Sequence, residues 1–270
     1  MRISVIGAFN IGSAHICSIV RTGNDFIGYY DTSDTVLSKG DYVLNKWADI
    51  EEGVYIPETP TKYDSIRHLV NDSPDLVIIC CPTDYHIHYL DSLQRCGYTG
   101  KVLCEKPCGR TIEFKPYAFT LFVGYEWTYH PTLKYIDVNS VCECHSHKPD
   151  WVNTFEDTCW DLAGHCISML KSGNRTPIRV EKLTDNMVYD VFFSDHAHIT
   201  FGYFDKVAPL QENDITRDTP VTIVNNNVVL RWNDLFDWQL LDILYNEGKN
   251  SVDYASINML VKDIMDLPVN

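Results

Sequence analysis

The chain has 270 residues with 22 basic and 37 acidic side chains, a formal charge of −15 at neutral pH. Hydrophobic residues make up 45% and charged ones 22%, the balance of a folded protein rather than a disordered one. The acidic excess argues against nucleic acid or an anionic membrane as partner, since both reward clustered Lys and Arg. No apolar run reaches the roughly 18–20 residues needed to span a bilayer.

Met1 to Gly7 carries one charge and lacks the layout of a signal peptide, so a cytoplasmic protein is expected. Arg2–Ile6 is a β-rich run closed by Gly7, and Ile11–Val20 spaces its apolar residues as a helix does. Asp25–Tyr30 predicts a second strand, closed by Asp31. Asp64–Asn71 reads as a short helix, and Asp75–Cys81 is a nearly unbroken apolar run. Such a run suits a parallel strand covered on both faces. Tyr85–Cys96 follows as a helix stopped by Gly97 and Gly100, then Lys101–Cys104 as a strand. This alternation predicts an α/β domain over residues 1–122 with a doubly wound parallel sheet.

Beyond Pro107 the pattern changes. Ala118–Gly124 and Val138–His147 read as extended, and Trp160–Lys171 as a helix ended by Gly173. Met187–Phe193 and His196–Tyr203 alternate about Ser194-Asp195, and Val221–Trp232 holds two strands about Asn225-Asn226-Asn227. Leu235–Tyr245 and Val252–Leu267 are amphipathic helices. Strands followed by helices predict an α+β domain over 123–270 with an open, mainly antiparallel sheet. The boundary falls within 108–125, and the last helix is free to pack back on the first domain.

Gly7-Ala8-Phe9-Asn10-Ile11-Gly12 joins the first strand to the first helix. Unpaired N–H groups and a partial positive charge at a helix start attract a pyrophosphate. The usual G-x-G-x-x-G pattern has glycine in the middle, where this chain has Phe9. Asp31, 19 residues after Gly12, stands where an acidic side chain binds an adenosine ribose and repels a 2′-phosphate. The turn therefore points to NAD rather than NADP.

Cys80-Cys81-Pro82-Thr83-Asp84-Tyr85-His86 follows the third long strand, and Lys101-Val102-Leu103-Cys104-Glu105-Lys106-Pro107 is the next strand with its end. Gly124-Tyr125-Glu126-Trp127-Thr128-Tyr129-His130-Pro131 and Trp160-Asp161-Leu162-Ala163-Gly164-His165 come later. In this order, with the glycine turn, these segments resemble the Gfo/Idh/MocA oxidoreductases, the family of glucose–fructose oxidoreductase and inositol dehydrogenase. The resemblance implies an NAD(P)-binding Rossmann domain followed by a domain that carries a sugar-like substrate against an open sheet.

The resemblance also implies the site. Gly7, Phe9, Asn10, Ile11, Gly12 and Asp31 would bind the cofactor, with Cys81, Pro82, Thr83, His86 and Glu105 toward the nicotinamide end. Lys106 would lie beside nicotinamide and substrate and polarise a carbonyl oxygen. His165 would transfer the proton, and Asp161, on its helix face, would bind substrate or orient the imidazole. Tyr125, Trp127, Tyr129 and Trp160 form either a stacking wall for substrate or ordinary packing.

Three departures mark a reduced member. Thr128 stands where many relatives have Arg, Ser168 where many have an acid, and the stretch between Pro107 and Ala118 is too short for the usual long helix. Phe9 in the glycine turn, Thr128 and the shortened stretch support an alternative, a non-catalytic relative that senses nucleotides or binds partners.

Ten cysteines in an intracellular chain are expected reduced. Cys142-Glu143-Cys144-His145-Ser146-His147 invites a zinc reading, but a strand puts its cysteines and histidines on opposite faces, and no metal site is expected. His196 and His198 are assigned no role. The expected partners are a small-molecule substrate and, through the open sheet of the second domain, further copies of the chain.

Overall fold

The computed structural model describes residues 1–45, 52–112, 115–145, 148–171, 175–184, 187–203, 221–225, 228–231 and 235–270. His147, Gly173, Trp232 and most of the Asn225–Asn227 turn lie outside them. The first elements are β1 (Arg2–Ile6), α1 (Ile11–Arg21), β2 (Asp25–Tyr30), β3 (Tyr42–Asn45), β4 (Glu52–Tyr55) and β5 (Thr61–Lys62). Then come α2 (Ile66–Asn71), β6 (Leu76–Ile79), α3 (His86–Arg95), β7 (Lys101–Glu105) and β8 (Thr120–Gly124). The later part contains β9 (Ser140–His145), α4 (Phe155–Thr158), α5 (Gly164–Met169), β10 (Pro177–Thr184), β11 (Val188–Phe193) and β12 (His198–Tyr203). It closes with β13 (Val221–Val224), β14 (Val228–Arg231), α6 (Leu235–Tyr245) and α7 (Tyr254–Met265).

These elements form two compact units. One comprises Met1–Arg110, Phe114–Tyr129 and Asp234–Ser251; the other comprises Thr111–Glu113, His130–Asn233 and Val252–Asn270. Apart from the short stretch Thr111–Glu113, the chain passes to the second unit at His130, returns to the first at Asp234 and leaves it again at Val252. The helix that returns to the first unit is α6, the last but one, whereas α7 stays with the second.

The first unit is built on a six-stranded sheet in the order β5-β2-β1-β6-β7-β8, with every pairing parallel. Numbered within the sheet this is 3-2-1-4-5-6, the doubly wound Rossmann order, and it reverses direction between β1 and β6. All four residues of β6 are buried, as its unbroken apolar run requires. Ile3, Val5, Ile16, Ile19, Leu76, Ile78 and Leu103 share one core with Leu240 and Ile243 of α6. Arg21 grips Asp237 through two hydrogen bonds, Nε to Oδ2 at 2.5 Å and Nη2 to Oδ1 at 2.8 Å, fixing α6 against α1. The β3–β4 hairpin, unforeseen in the sequence, lies against α1.

The second unit holds a six-stranded sheet in the order β10-β11-β12-β9-β13-β14. Every pairing is antiparallel except β12 with β9, so the sheet is mixed but mainly antiparallel. Burial alternates along β9, with Val141 and Glu143 buried and Cys142 and Cys144 half-buried, so one face is far better covered than the other. Phe155–Met169 is one continuous helical run, α4 and α5, whose middle residues Cys159–Ala163 form a π turn. Thr154 starts it with a capping box that pairs reciprocally with Asp157.

Candidate dinucleotide and catalytic site

The carboxyl end of β1 sits at the sheet's switch point, where open α/β sheets bind their ligands. Gly7 has φ of +87°, and a Cβ there would lie 2.7 Å from the Cys81 nitrogen. A Cβ on Gly12 would lie 2.0 Å from the Gly7 carbonyl oxygen. Only glycine fits at either place, so the outer glycines of the turn serve the close helix–strand packing that the fingerprint demands.

Phe9, in place of the middle glycine, turns its ring edge-on to Tyr29 at 5.9 Å and packs against the core. Asn10 makes no side-chain cap to α1, and no acidic residue stands in the helix's first turn. The helix start thus offers N–H groups and a positive dipole end without a competing carboxylate of its own. Asp31, just beyond β2, accepts from Ala8 N–H through Oδ2 and from Ser33 N–H through Oδ1, each at 2.8 Å. The acidic residue is thereby tied to the glycine turn. A carboxylate oxygen has further lone pairs, so these bonds leave acceptor capacity. The residues present fit a dinucleotide without a 2′-phosphate.

Beyond β6, Pro82 is exposed and Thr83 half-buried in a single 3-10 turn, Thr83–Tyr85. Cys81 is half-buried, and burial, with Asp31 nearby, pushes its thiol up to about 12. His86 faces inward, with 1% exposure. Its Nδ1 lies 2.8 Å from the Pro107 carbonyl oxygen and its Nε2 2.7 Å from that of Cys81. It ties the turn after β6 to the turn after β7, and burial pushes its pKa below the ordinary value despite those two oxygens.

Glu105 ends β7, and a cis peptide joins the half-exposed Lys106 to Pro107. The Glu105 carboxylate is buried and meets Nε2 of His15, a buried residue of α1, at 2.7 Å. Tyr125, Trp127 and Tyr129 of the first unit and Trp160 of the second are all buried, each no more than 5% exposed. Thr128 donates its hydroxyl to the Tyr125 carbonyl at 2.8 Å.

Within the second unit, Asp161 lies in the π turn and His165 in the first turn of α5, 2% exposed. The π turn alters the simple four-residue spacing that the sequence suggests, and such turns recur at functional positions. Asp161 accepts a hydrogen bond from the Tyr203 hydroxyl, 42 positions along. Burial, with Asp161 beside it, raises the Tyr203 phenol above its usual range. Ser168 donates to the His165 carbonyl at 2.7 Å. His15 and Tyr203 are the site-adjacent residues that sequence reading missed. A histidine one turn into a helix that follows a glycine turn was the available signal for the first.

Cys142 and Cys144 share a face of β9, their sulfurs 4.0 Å apart, while Glu143 and His145 pair on the other at 3.1 Å. Among the described residues, no three His, Cys, Asp or Glu side chains group as a metal site would require. No described helix is long and apolar enough to cross a membrane.

A Rossmann sheet with a glycine turn at its switch point is the architecture of a dinucleotide-binding domain. Residues 1–114 match the Gfo/Idh/MocA family model, described as oxidoreductase family, NAD-binding Rossmann fold.

Among solved structures, it resembles the WlbA (WbpB) dehydrogenase of Thermus thermophilus, solved with NAD and UDP-GlcNAcA. The identity is 16% and the TM-score 0.72, with 100% of this chain and 96% of that one covered. UDP-N-acetylglucosamine 3-dehydrogenase GnnA of Acidithiobacillus ferrooxidans is 14% identical with a TM-score of 0.60, covering 98% and 96%. GenD2 of gentamicin A biosynthesis, solved with NAD, is 13% identical with a TM-score of 0.63, covering 98% and 92%. At these identities the likeness is one of fold. No curated protein sequence matches the chain.

Proposed function

We propose that the chain is an NAD-dependent oxidoreductase that moves a hydride between nicotinamide and a secondary hydroxyl or ketone of a small polar, sugar-like substrate. The observation that carries this reading is the glycine cradle at the switch point, tied on one side to Asp31 and flanked by the Glu105-Lys106 strand end. Two of the similar structures are, by name or bound ligand, associated with UDP-linked amino sugars, which supports a sugar-like substrate class.

NAD, when bound, supplies the hydride acceptor. The first turn of α1 holds the pyrophosphate, and Asp31 takes a ribose hydroxyl while its charge repels a 2′-phosphate. Pro82 and Thr83 border the nicotinamide side, with Cys81 and His86 holding that turn in shape. Lys106 polarises the substrate oxygen as charge develops on it. His165 takes the proton from the hydroxyl in oxidation and returns it in reduction. Asp161, held by Tyr203, orients substrate or imidazole.

Calorimetric titration with NADH is the direct test, and saturable binding is expected. Lys106→Ala should then abolish turnover of an accepted substrate while leaving NADH affinity within about threefold, a shift worth only ~0.6 kcal/mol. Absence of saturable binding favours the non-catalytic relative, and retained turnover in Lys106→Ala would place the chemistry elsewhere.

A further inference from the structure

We propose that His15 is a positioning residue for Lys106, acting through the Glu105 carboxylate. The inference rests on the reading above in that it takes Lys106 as the reacting cation. His15 is 1% exposed and lies 90 positions from Glu105, yet its Nε2 sits 2.7 Å from Glu105 Oε1. The other carboxylate oxygen accepts from the Lys106 backbone N–H at 3.3 Å. The imidazole, the carboxylate and the peptide that bears the lysine therefore form one chain of contacts inside the first unit.

Two further contacts hold that chain. A Cβ on Gly124 would stand 2.9 Å from Glu105 Oε1 and 3.0 Å from both Cδ and Oε2, so β8 leaves the carboxylate its space only because it ends in glycine. The His15 ring is itself fixed by Phe236 of α6, edge-on at 4.7 Å. A carboxylate with so little contact with water is costly to leave without a partner, and so it follows the imidazole.

Position on the helix gives the contact its meaning. His15 stands three residues after Gly12, on the same α1 whose start forms the phosphate cradle. The helix that receives the pyrophosphate also holds the strand end that presents Lys106. The His15–Glu105 and Glu105–Lys106 hydrogen bonds, in series, link α1 to the peptide that bears Lys106.

The test uses the full chain with its lysines reductively methylated with ¹³C-formaldehyde, the Lys106 resonance being assigned by its loss in Lys106→Arg. His15→Leu, which cannot donate, should move that resonance and leave those of the other lysines in place. His15→Gln, whose amide nitrogen can take the place of Nε2, should restore it. Gly124→Ala crowds the carboxylate from the opposite side without touching His15, and it should move the same resonance.

NADH affinity should change less than threefold in all of them, while kcat falls at least tenfold in the first and third. If His15→Leu fails to fold, Gly124→Ala and His15→Gln decide between the outcomes. A Lys106 resonance unmoved in His15→Leu or Gly124→Ala, or one that moves equally in His15→Leu and His15→Gln, would overturn the proposal. Failure of the wild-type chain to bind NADH would instead overturn the functional reading, and the resonance would still report on His15.

Discussion

At the scale of single residues, burial decides which groups carry charge. His86 has both ring nitrogens against carbonyl oxygens, and a neutral ring can donate to only one of them. Its folded pKa lies below the ordinary value, chiefly through burial. The stability it contributes is complete above the unfolded pKa, roughly 6.5. That stability is lost as pH falls from there toward the folded value, because the unfolded ring takes a proton that the folded ring refuses. The urea midpoint should therefore fall between pH 7.5 and pH 5.5, and by less in His86→Gln; equal falls in both proteins would refute this. The cysteines divide in the same way. Cys142 is held below the usual thiol range by the hydrogen bond from Cys144, which outweighs burial, whereas burial pushes Cys81 up to about 12. Since only the thiolate attacks, iodoacetamide at pH 7.5 should label Cys142 well before Cys81. Peptide mass spectrometry would show the reverse order if these assignments are wrong.

At the scale of elements, the β1–α1 junction is the most constrained piece of backbone. The atom that a Cβ on Gly12 would meet is a backbone oxygen, so the crowding cannot be relieved by rotating a side chain. Gly12→Ala should lose about 1–3 kcal/mol of stability by analogy with other overpacked interiors, and NADH binding with it. Urea denaturation and NADH titration of the variant check both, and wild-type values in either would contradict the tight turn. Some elements were plain in the sequence and others were not, for physical reasons. The β6 run Leu76–Ile79 is buried on both sides, so every residue signals it. β10 begins with Pro177, carries Arg179, Glu181 and Lys182, and lies at a sheet edge, where charge is favoured. Its residues carry no regular alternation to read. The π turn at Cys159–Ala163 depends on how the helix packs, and no local pattern encodes it.

For the molecule as a whole, we propose self-association through the second sheet. Ile178 and Leu183 on β10 and Val229 on β14 are exposed, a pattern that invites a partner surface. Light scattering at micromolar concentration should give the mass of a dimer or tetramer of the 31.0 kDa chain, and a monomer would argue against it.

The sequence by itself determined the alternation of strands and helices, the glycine turn with Asp31 after the second strand, and the order of the motifs on which the resemblance rests. These are local signals, written in period, turn chemistry and spacing. Tertiary structure alone decided that α6 returns to the first unit, that His15 meets Glu105, and that Asp161 meets Tyr203. An amphipathic helix declares that it has an apolar face without saying which surface will cover it. A buried polar side chain likewise does not disclose its partner, because the partner is chosen by packing among residues scores of positions away.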